Sequence, residues 1–405
     1  MARVVIIGGG ITGVLAAREL LLAGHAVTLL ETAHIGAGSS SRTAAGIRQQ
    51  FSTPDTVRGM RYAVRFYRAF AAEVEDGQTP IVQNGYLFLC AGDAALASAR
   101  ARVAVQHAAG LAEVELLVGD ALRERFPFLA DGVTGGTFCP TDGFLFPAVV
   151  YNEGARRARA LGATIVQHAP VTGATHDGAG RLVEVETPKG RFGGDVFLDC
   201  TNAWTRRTGA VLGGTPLPVD PLKRYLWFLP RDGSMDGATL HRMPLVIAPN
   251  GVYARPENED TLLVGWAHDA APEPTFTYED QDRVDPGFAH NSGYDALPYT
   301  AWAGLAEVIP AIGEFAGVSA TTSGFYGTTP DHNPFLGYDP AVDNLIRLVG
   351  FSGHGAMFGP FTALVARTLV DAGRDVDRVH IDGESIEIAA FRIGRTFHHA
   401  EALVI

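Results

Sequence analysis

Gly8, Gly10 and Gly13 stand in the spacing G-x-G-x-x-G, and an acid, Glu31, follows further along. Residues of these types at this spacing can hold a dinucleotide diphosphate. Gly8 permits a tight turn, and Gly10 puts no Cβ in the way of an approaching pyrophosphate. Gly13 lets the next helix pack closely on the preceding strand. Ile11 and Thr12 fall in the first turn of that helix, whose free N–H groups face the phosphates. Glu31 can accept hydrogen bonds from a ribose 2′-OH and would repel a 2′-phosphate. The pattern therefore favours FAD or NAD over NADP.

These residues work only if regular elements hold them. Val4, Val5, Ile6 and Ile7 form an unbroken β-branched run, suited to a strand buried on both faces of a parallel sheet. From Ile11 to Leu22 apolar residues recur at helical spacing, broken by Arg18 and Glu19, and Gly24 ends the helix. Ala26 to Leu30 reads as a second strand, with Glu31 at its end. Strand, glycine turn, helix, strand and acid thus come in the order of a Rossmann-type unit.

A second chemically suggestive stretch is GAGSSSRTAAGIRQQF, Gly36 to Phe51. Its backbone amides and the hydroxyls of Ser39, Ser40 and Ser41 can hold a second phosphate or a ring edge. Asp55 to Val74, Ala94 to Ala109 and Pro147 to Leu161 read as helices. Gly85 to Cys90, Ala163 to Val166 and Asp195 to Asp199 read as strands, and Arg181 to Phe192 as a hairpin. Lys223 to Leu229, Gly251 to Ala254 and Thr261 to Ala267 alternate in a way that suggests an antiparallel sheet. Leu345 to Val349 is a strand, and GFSGHGAMFGP turns through glycines into a helix reaching Ala372.

The expected fold is mixed α/β: a discontinuous nucleotide-binding domain (residues 1–80, 140–215 and 320–405) with an antiparallel-sheet domain (81–139 and 216–319) inserted into it.

Composition narrows the function further. The chain has 405 residues, 47% hydrophobic and 19% charged, as in a globular protein with a large core. A net charge of −12 without a basic run argues against nucleic acid as a partner. The only lysines are Lys189 and Lys223. Cys90, Cys139 and Cys200 are odd in number and widely spaced, which suggests neither a disulfide framework nor a metal site. No apolar run reaches the roughly eighteen residues of a membrane span. The glycine motif starts almost at Met1, so a cytoplasmic location is expected.

Together GGGITG with Glu31, SSSRTAAGIRQQF, GYLFL, CTNAW, GFYGTTPDHNPFLG and GFSGHGAMFGP resemble the D-amino-acid oxidase superfamily of flavoproteins. Within it they are most similar to sarcosine oxidase-type amine oxidases and dehydrogenases, including the β subunits of heterotetrameric sarcosine oxidase and L-proline dehydrogenase. The resemblance spans nearly the whole chain and implies FAD. It puts Ser40, Ser41 and Arg42 along the pyrophosphate, Ala45 and Gly46 at the ring edge, and Val171 at the adenine. Trp204 would sit beside the cofactor, and Gly353, His354, Gly355 and Met357 at the flavin pyrimidine edge. The flavin-bearing cysteine of monomeric sarcosine oxidase is matched by Gly324, and the serine-rich loop holds no histidine, so the FAD is expected to be non-covalent. The family's two active-site lysines are matched by Leu263 and Met357, which leaves both roles unfilled.

The resemblance implies hydride transfer from the carbon beside an amine nitrogen to flavin N5, giving an imine that water hydrolyses, with O2 or another acceptor taking the electrons. The amine must be neutral, because its lone pair drives the transfer. Arg48 matches a substrate-facing arginine and can grip a carboxylate with two parallel bonds; an ion pair within the fold is the competing role for it and for Arg42. Tyr326 matches a pocket tyrosine and would equally serve as a core aromatic. His354 would tune flavin charge or accept a proton near neutral pH, or simply be hydrogen-bonded within its turn. Two other readings fit the same motifs: oxidation of a 2-hydroxy acid, and a flavin-bearing subunit of a larger complex with little turnover of its own. Phe228, Tyr253 and Trp266, on the inserted sheet, make an apolar or ring-bearing substrate conceivable.

Overall fold

The computed structural model describes residues 1–267, 278–381, 383–397 and 400–403. The strand Arg3–Ile7 lies inside a six-stranded sheet, buried from Val4 onward. It pairs in parallel with Ala26–Leu30 on one side and Val196–Asp199 on the other. Thr164–Val166 extends the sheet beyond Ala26–Leu30, and Val342–Val349 beyond Val196–Asp199, both in parallel. The edge strand Phe335–Asp339 runs antiparallel. Because the sheet is covered on both faces, its strands are near-continuous aliphatic runs.

The helix Ile11–Leu22 follows the glycine turn and packs between the helices Pro147–Ala160 and Gly355–Ala372. That burial takes in Arg18 and Glu19, the residues that interrupt its apolar spacing. Arg18 resolves the conflict by bonding Glu19 and Glu73, and it also donates to the Glu73 carbonyl.

A second, eight-stranded sheet is ordered Ala320–Thr328, Asp220–Pro230, Thr261–Trp266, Val252–Pro256, Leu245–Ile247, Tyr86–Cys90, Gly135–Cys139, Glu115–Val118. Two expectations need correction here. The sheet is not wholly antiparallel: Leu245–Ile247 pairs with Tyr86–Cys90 in parallel. Residues 320–328, expected with the nucleotide-binding segments, join this sheet through a nine-residue ladder from Asp220↔Thr328 to Phe228↔Ala320. Such long-range pairing is set by partners far away in sequence, which local periodicity does not report.

The pleat sorts this sheet into two faces. One carries Leu87, Tyr225, Trp227, Val264 and, partly buried, Trp266; it packs on the helix Leu297–Ala306. The other carries Tyr86, Phe88, Leu226, Leu245, Tyr253 and Leu263. The three cysteines are buried and free. Among the described residues no helix is long and apolar enough to cross a membrane.

Candidate active site

The first strand, its glycine turn and the helix after it form one wall of a cavity of about 690 Å³, within the usual size of a cofactor site. Gly8 has φ +110°, and a Cβ there would lie 2.8 Å from the Cys200 carbonyl oxygen. At Gly13 a Cβ would meet the Gly8 carbonyl at 2.0 Å, so Gly13 lies beneath the turn and does not line the cavity. Gly10, Ile11 and Thr12 do line it. Glu31 ties the turn down: Gly9 N donates to its Oε2 (2.7 Å) and Ala33 N to its Oε1 (2.8 Å). Each carboxylate oxygen keeps a further lone pair, and Glu31 lines the cavity, so a ribose hydroxyl can donate to it.

Ser40 accepts from Ile11 N (3.0 Å) and, with Arg42, Val171 and Trp204, lines the same cavity. Ser41 departs from expectation. It is exposed, lines neither cavity, and donates to the Gly38 carbonyl, because the short helix Ser39–Ser41 turns it outward. Arg42 is ion-paired with Asp282 and donates to the Ala37 and Gly38 carbonyls, so its guanidinium holds the loop.

The far end is set by the turn Gly350 to Gly355. Asn202, itself at φ +47°, accepts from Gly350 N (3.0 Å) and Phe351 N (3.2 Å). Ser352 N donates to Gly327 O, and Thr329 N to Ser352 Oγ. One asparagine and one serine thus join the end of Val196–Asp199, the strand Ala320–Thr328 and the start of the helix Gly355–Ala372. Gly353 and Gly355 line the large cavity, and the first-turn N–H groups of the helix lack intrahelical acceptors there.

A second cavity of about 40 Å³ continues past this point, sharing Thr43, Tyr326, Gly353 and Ala356 with the first. Ala45, Gly46, Arg48, His354 and Met357 line it, as do Tyr86 and Tyr253. The Tyr326 ring covers Gly353, where a Cβ would be 2.5 Å from it. The hydroxyls of Tyr253 and Tyr326 are hydrogen-bonded, and burial pushes both phenols up. Phe228 packs against the same sheet face, whereas Trp266 faces away and bonds the Asn250 carbonyl. Leu263 lies on the cavity face; Lys223 is buried beside the Tyr225 and Phe325 rings and lines neither cavity.

Arg48 is 2% exposed. Its guanidinium stacks over Phe51 at 3.9 Å, donates to the Gln50 and Leu403 carbonyls and bonds the Tyr86 side chain. Its Nε has no hydrogen-bond partner, and no carboxylate is within ion-pairing distance, among the described residues. Burial pushes the guanidinium pKa down. The Glu401 and Asp142 charges favour the cation without touching it; a buried cation with no carboxylate in contact is costly, and the cost is recovered when an anion binds. The segment bearing it is fixed by buried Asp142, which accepts from Gln49 N (2.9 Å), Gln49 Nε2 (3.0 Å) and Gln50 Nε2 (3.2 Å). Burial raises the Asp142 pKa to about 6, against these bonds.

His354 lies between the Phe51 and Phe358 rings. Burial, with Arg48 and His332 nearby, lowers its pKa to about 3. A base so weakened is poorly suited to the expected proton-accepting role. Asp331 is tied up elsewhere: burial opposes its charge, but a bidentate pair with Arg395 (2.7 and 2.8 Å) holds its pKa below the usual carboxylate range. Sequence reasoning missed Tyr86 and Asp142. The inward register of GYLFL was the available signal for the tyrosine; nothing local marks the aspartate.

The large cavity fits a dinucleotide: a glycine turn at its phosphate end, an acid at its ribose end, and a second helix N-terminus at the ring end. Among the described residues no cluster of metal-ligating side chains exists. Residues 3–369 match the family described as FAD dependent oxidoreductase, DAO. The chain is 27% identical to the bovine FAD-dependent oxidoreductase domain-containing protein 1, covering 98% of this chain and 85% of that one. It is 28% identical to N-methyl-L-tryptophan oxidase of Salmonella arizonae, covering 89% and 92%. L-proline dehydrogenase from P. horikoshii superposes with a TM-score of 0.79 at 27% identity, over 92% of this chain and 94% of that one. The glycine-turn cradle, the paired helix N-termini and these likenesses agree: the chain belongs to the DAO family of FAD-dependent oxidoreductases.

Proposed function

We propose that this enzyme oxidises the carbon–nitrogen bond of an amine that carries a carboxylate, a secondary amino acid above all. The bound FAD supplies the hydride acceptor. The observation that carries the reading is Arg48, a buried cation with no acidic partner among the described residues, at the ring end of the cofactor cavity. Two relatives support it, being named for N-methyltryptophan and proline, both secondary amines with a carboxylate.

Arg48 would take the carboxylate in a charge-assisted bidentate pair and so fix the reacting carbon. Tyr86, Tyr253, Tyr326 and Met357 enclose the rest and exclude water. No side chain lining the small cavity is a carboxylate, and burial makes His354 a weak base, so the amine must arrive without its proton or lose it to water. The helix N-terminus at Gly355 faces the ring end, where it favours negative charge.

FAD would be held without a covalent bond, since Gly324 offers no thiol and the serine-rich loop no histidine. Acid precipitation should release all flavin to the supernatant.

The deciding test is anaerobic mixing with amines while flavin absorbance is followed. N-methyl and cyclic amino acids should bleach it, increasingly so as pH rises through the amine pKa, and their decarboxylated analogues should not. Bleaching by 2-hydroxy acids but not by amines would overturn the proposal.

A further inference from the structure

The carbonyl on Arg48 comes from Leu403, far away in sequence. The Leu403 side chain packs on the cavity face of the large sheet, among Tyr86, Phe88, Leu245 and Tyr253. Behind it, Glu401 is 1% exposed, and its Oε1 accepts from Ser52 N (2.8 Å), Ser52 Oγ (2.6 Å) and Leu403 N (3.0 Å). Ala402 N donates to Ser52 Oγ, and Glu401 N to the Asp331 carbonyl. A short stretch outside any helix or strand is thus pinned beside the substrate cation by one buried carboxylate.

With this stretch in place the inner cavity measures about 40 Å³. A space of that size holds a few waters, so an amino acid does not fit within it alone. Some wall must move. Tyr86 and Tyr253 stand on strands bonded on both sides within the sheet, and Tyr326 on an edge strand held by a nine-residue ladder to Asp220–Pro230. Behind that lining, the 401–403 stretch is held, among the described residues, by side-chain bonds, one main-chain bond and the packing of Leu403, which makes it the support that yields at least cost. A carboxylate also outcompetes it at Arg48, since a charge-assisted bond is roughly twice as strong as one to a neutral carbonyl.

We propose that Glu401–Leu403 is a latch on the substrate chamber: its carbonyl holds the place of the substrate carboxylate on Arg48, binding displaces it, and Leu403 sets how large a substrate side chain is admitted. The inference rests on Arg48 being the carboxylate anchor.

The test uses the FAD-loaded enzyme and two carboxylates that cannot be oxidised, acetate and benzoate, with affinity measured by calorimetry. Glu401→Gln keeps one acceptor oxygen and replaces the other, which accepts from Ser52 N and Thr53 Oγ1, by an N–H donor, and so loosens the latch. It should tighten benzoate binding about fivefold, by raising the open fraction, as should removal of residues 400–405. Leu403→Ala should favour benzoate over acetate, and Leu403→Phe should do the reverse. In the unaltered enzyme, saturating benzoate should speed hydrogen exchange at the Leu403 amide. Unchanged affinities and exchange, with Arg48→Met still abolishing benzoate binding, would overturn the latch and leave the anchor standing. Undiminished benzoate binding by Arg48→Met would overturn both.

Discussion

The two ends of the cofactor cavity are built differently. At the phosphate end, recognition rests on backbone: Gly8, Gly10 and Gly13 shape a turn, a helix presents its N–H groups, and Glu31 secures both within one continuous stretch. At the ring end, Arg48, Tyr86, Tyr253, Tyr326, His354 and Leu403 come from separate stretches spread along the chain. The first end tolerates no added atoms but needs few particular side chains. The second depends on side chains held by distant partners. A conserved diphosphate therefore meets a rigid local device, whereas the substrate meets a surface that can be retuned one strand at a time.

The contrast can be broken most severely at Gly13. Gly13→Val places carbon where the Gly8 carbonyl stands, 2.0 Å away. We expect a loss of more than about 4 kcal/mol of stability together with loss of bound flavin, read by thermal denaturation and flavin absorbance. Flavin retention at wild-type stability would show that the phosphate end is less rigid than described. At the other end, Arg48→Met should weaken binding of carboxylated amines by about 4 kcal/mol, roughly a thousandfold, while the melting temperature holds or rises. It holds because the substitution removes a buried charge that has no acidic partner among the described residues. A marked drop in melting temperature with unchanged affinity would make Arg48 structural.

Asp142 sharpens the comparison through pH. Its folded pKa is about 6, above the ordinary value, so between about pH 4 and 6 the unfolded chain gives up this proton first. The unfolded state binds fewer protons there, and stability from this group is lost as pH rises through that window, by about 2 to 3 kcal/mol. Asp142→Asn should flatten that slope in denaturant titrations, and an unaltered slope would place the titration elsewhere. The smallest effect is expected from Tyr326→Phe. It keeps the ring over Gly353 and removes only the bond to Tyr253, worth about 1 kcal/mol, so turnover should change by less than about tenfold.

What the sequence revealed follows the same division. The first strand, its helix and Glu31 were legible because every partner lies nearby and each position has one physical reason. The turn at Gly353 was legible for the same cause. Ser41 was not, since one residue of rotation in a short helix decides whether a hydroxyl faces a phosphate or water. The membership of Ala320–Thr328 was hidden because its nine-residue ladder is with a strand about a hundred residues earlier. Asp142 and Glu401 were invisible for a plainer reason. A buried acid is recognised by the donors around it, and those are Gln49, Gln50 and Ser52.

The order of the six-stranded sheet carries a consequence for how the protein is made. Its first strand is complete after seven residues, yet the strand flanking Val196–Asp199 ends at Val349, and the helix that completes the ring end follows it. A ribosome adding about 5 to 20 residues each second must work for roughly twenty seconds or more before that helix emerges. Until then the glycine turn has a strand and a helix but no far wall, so the FAD site is completed only once the Gly355–Ala372 helix has been made.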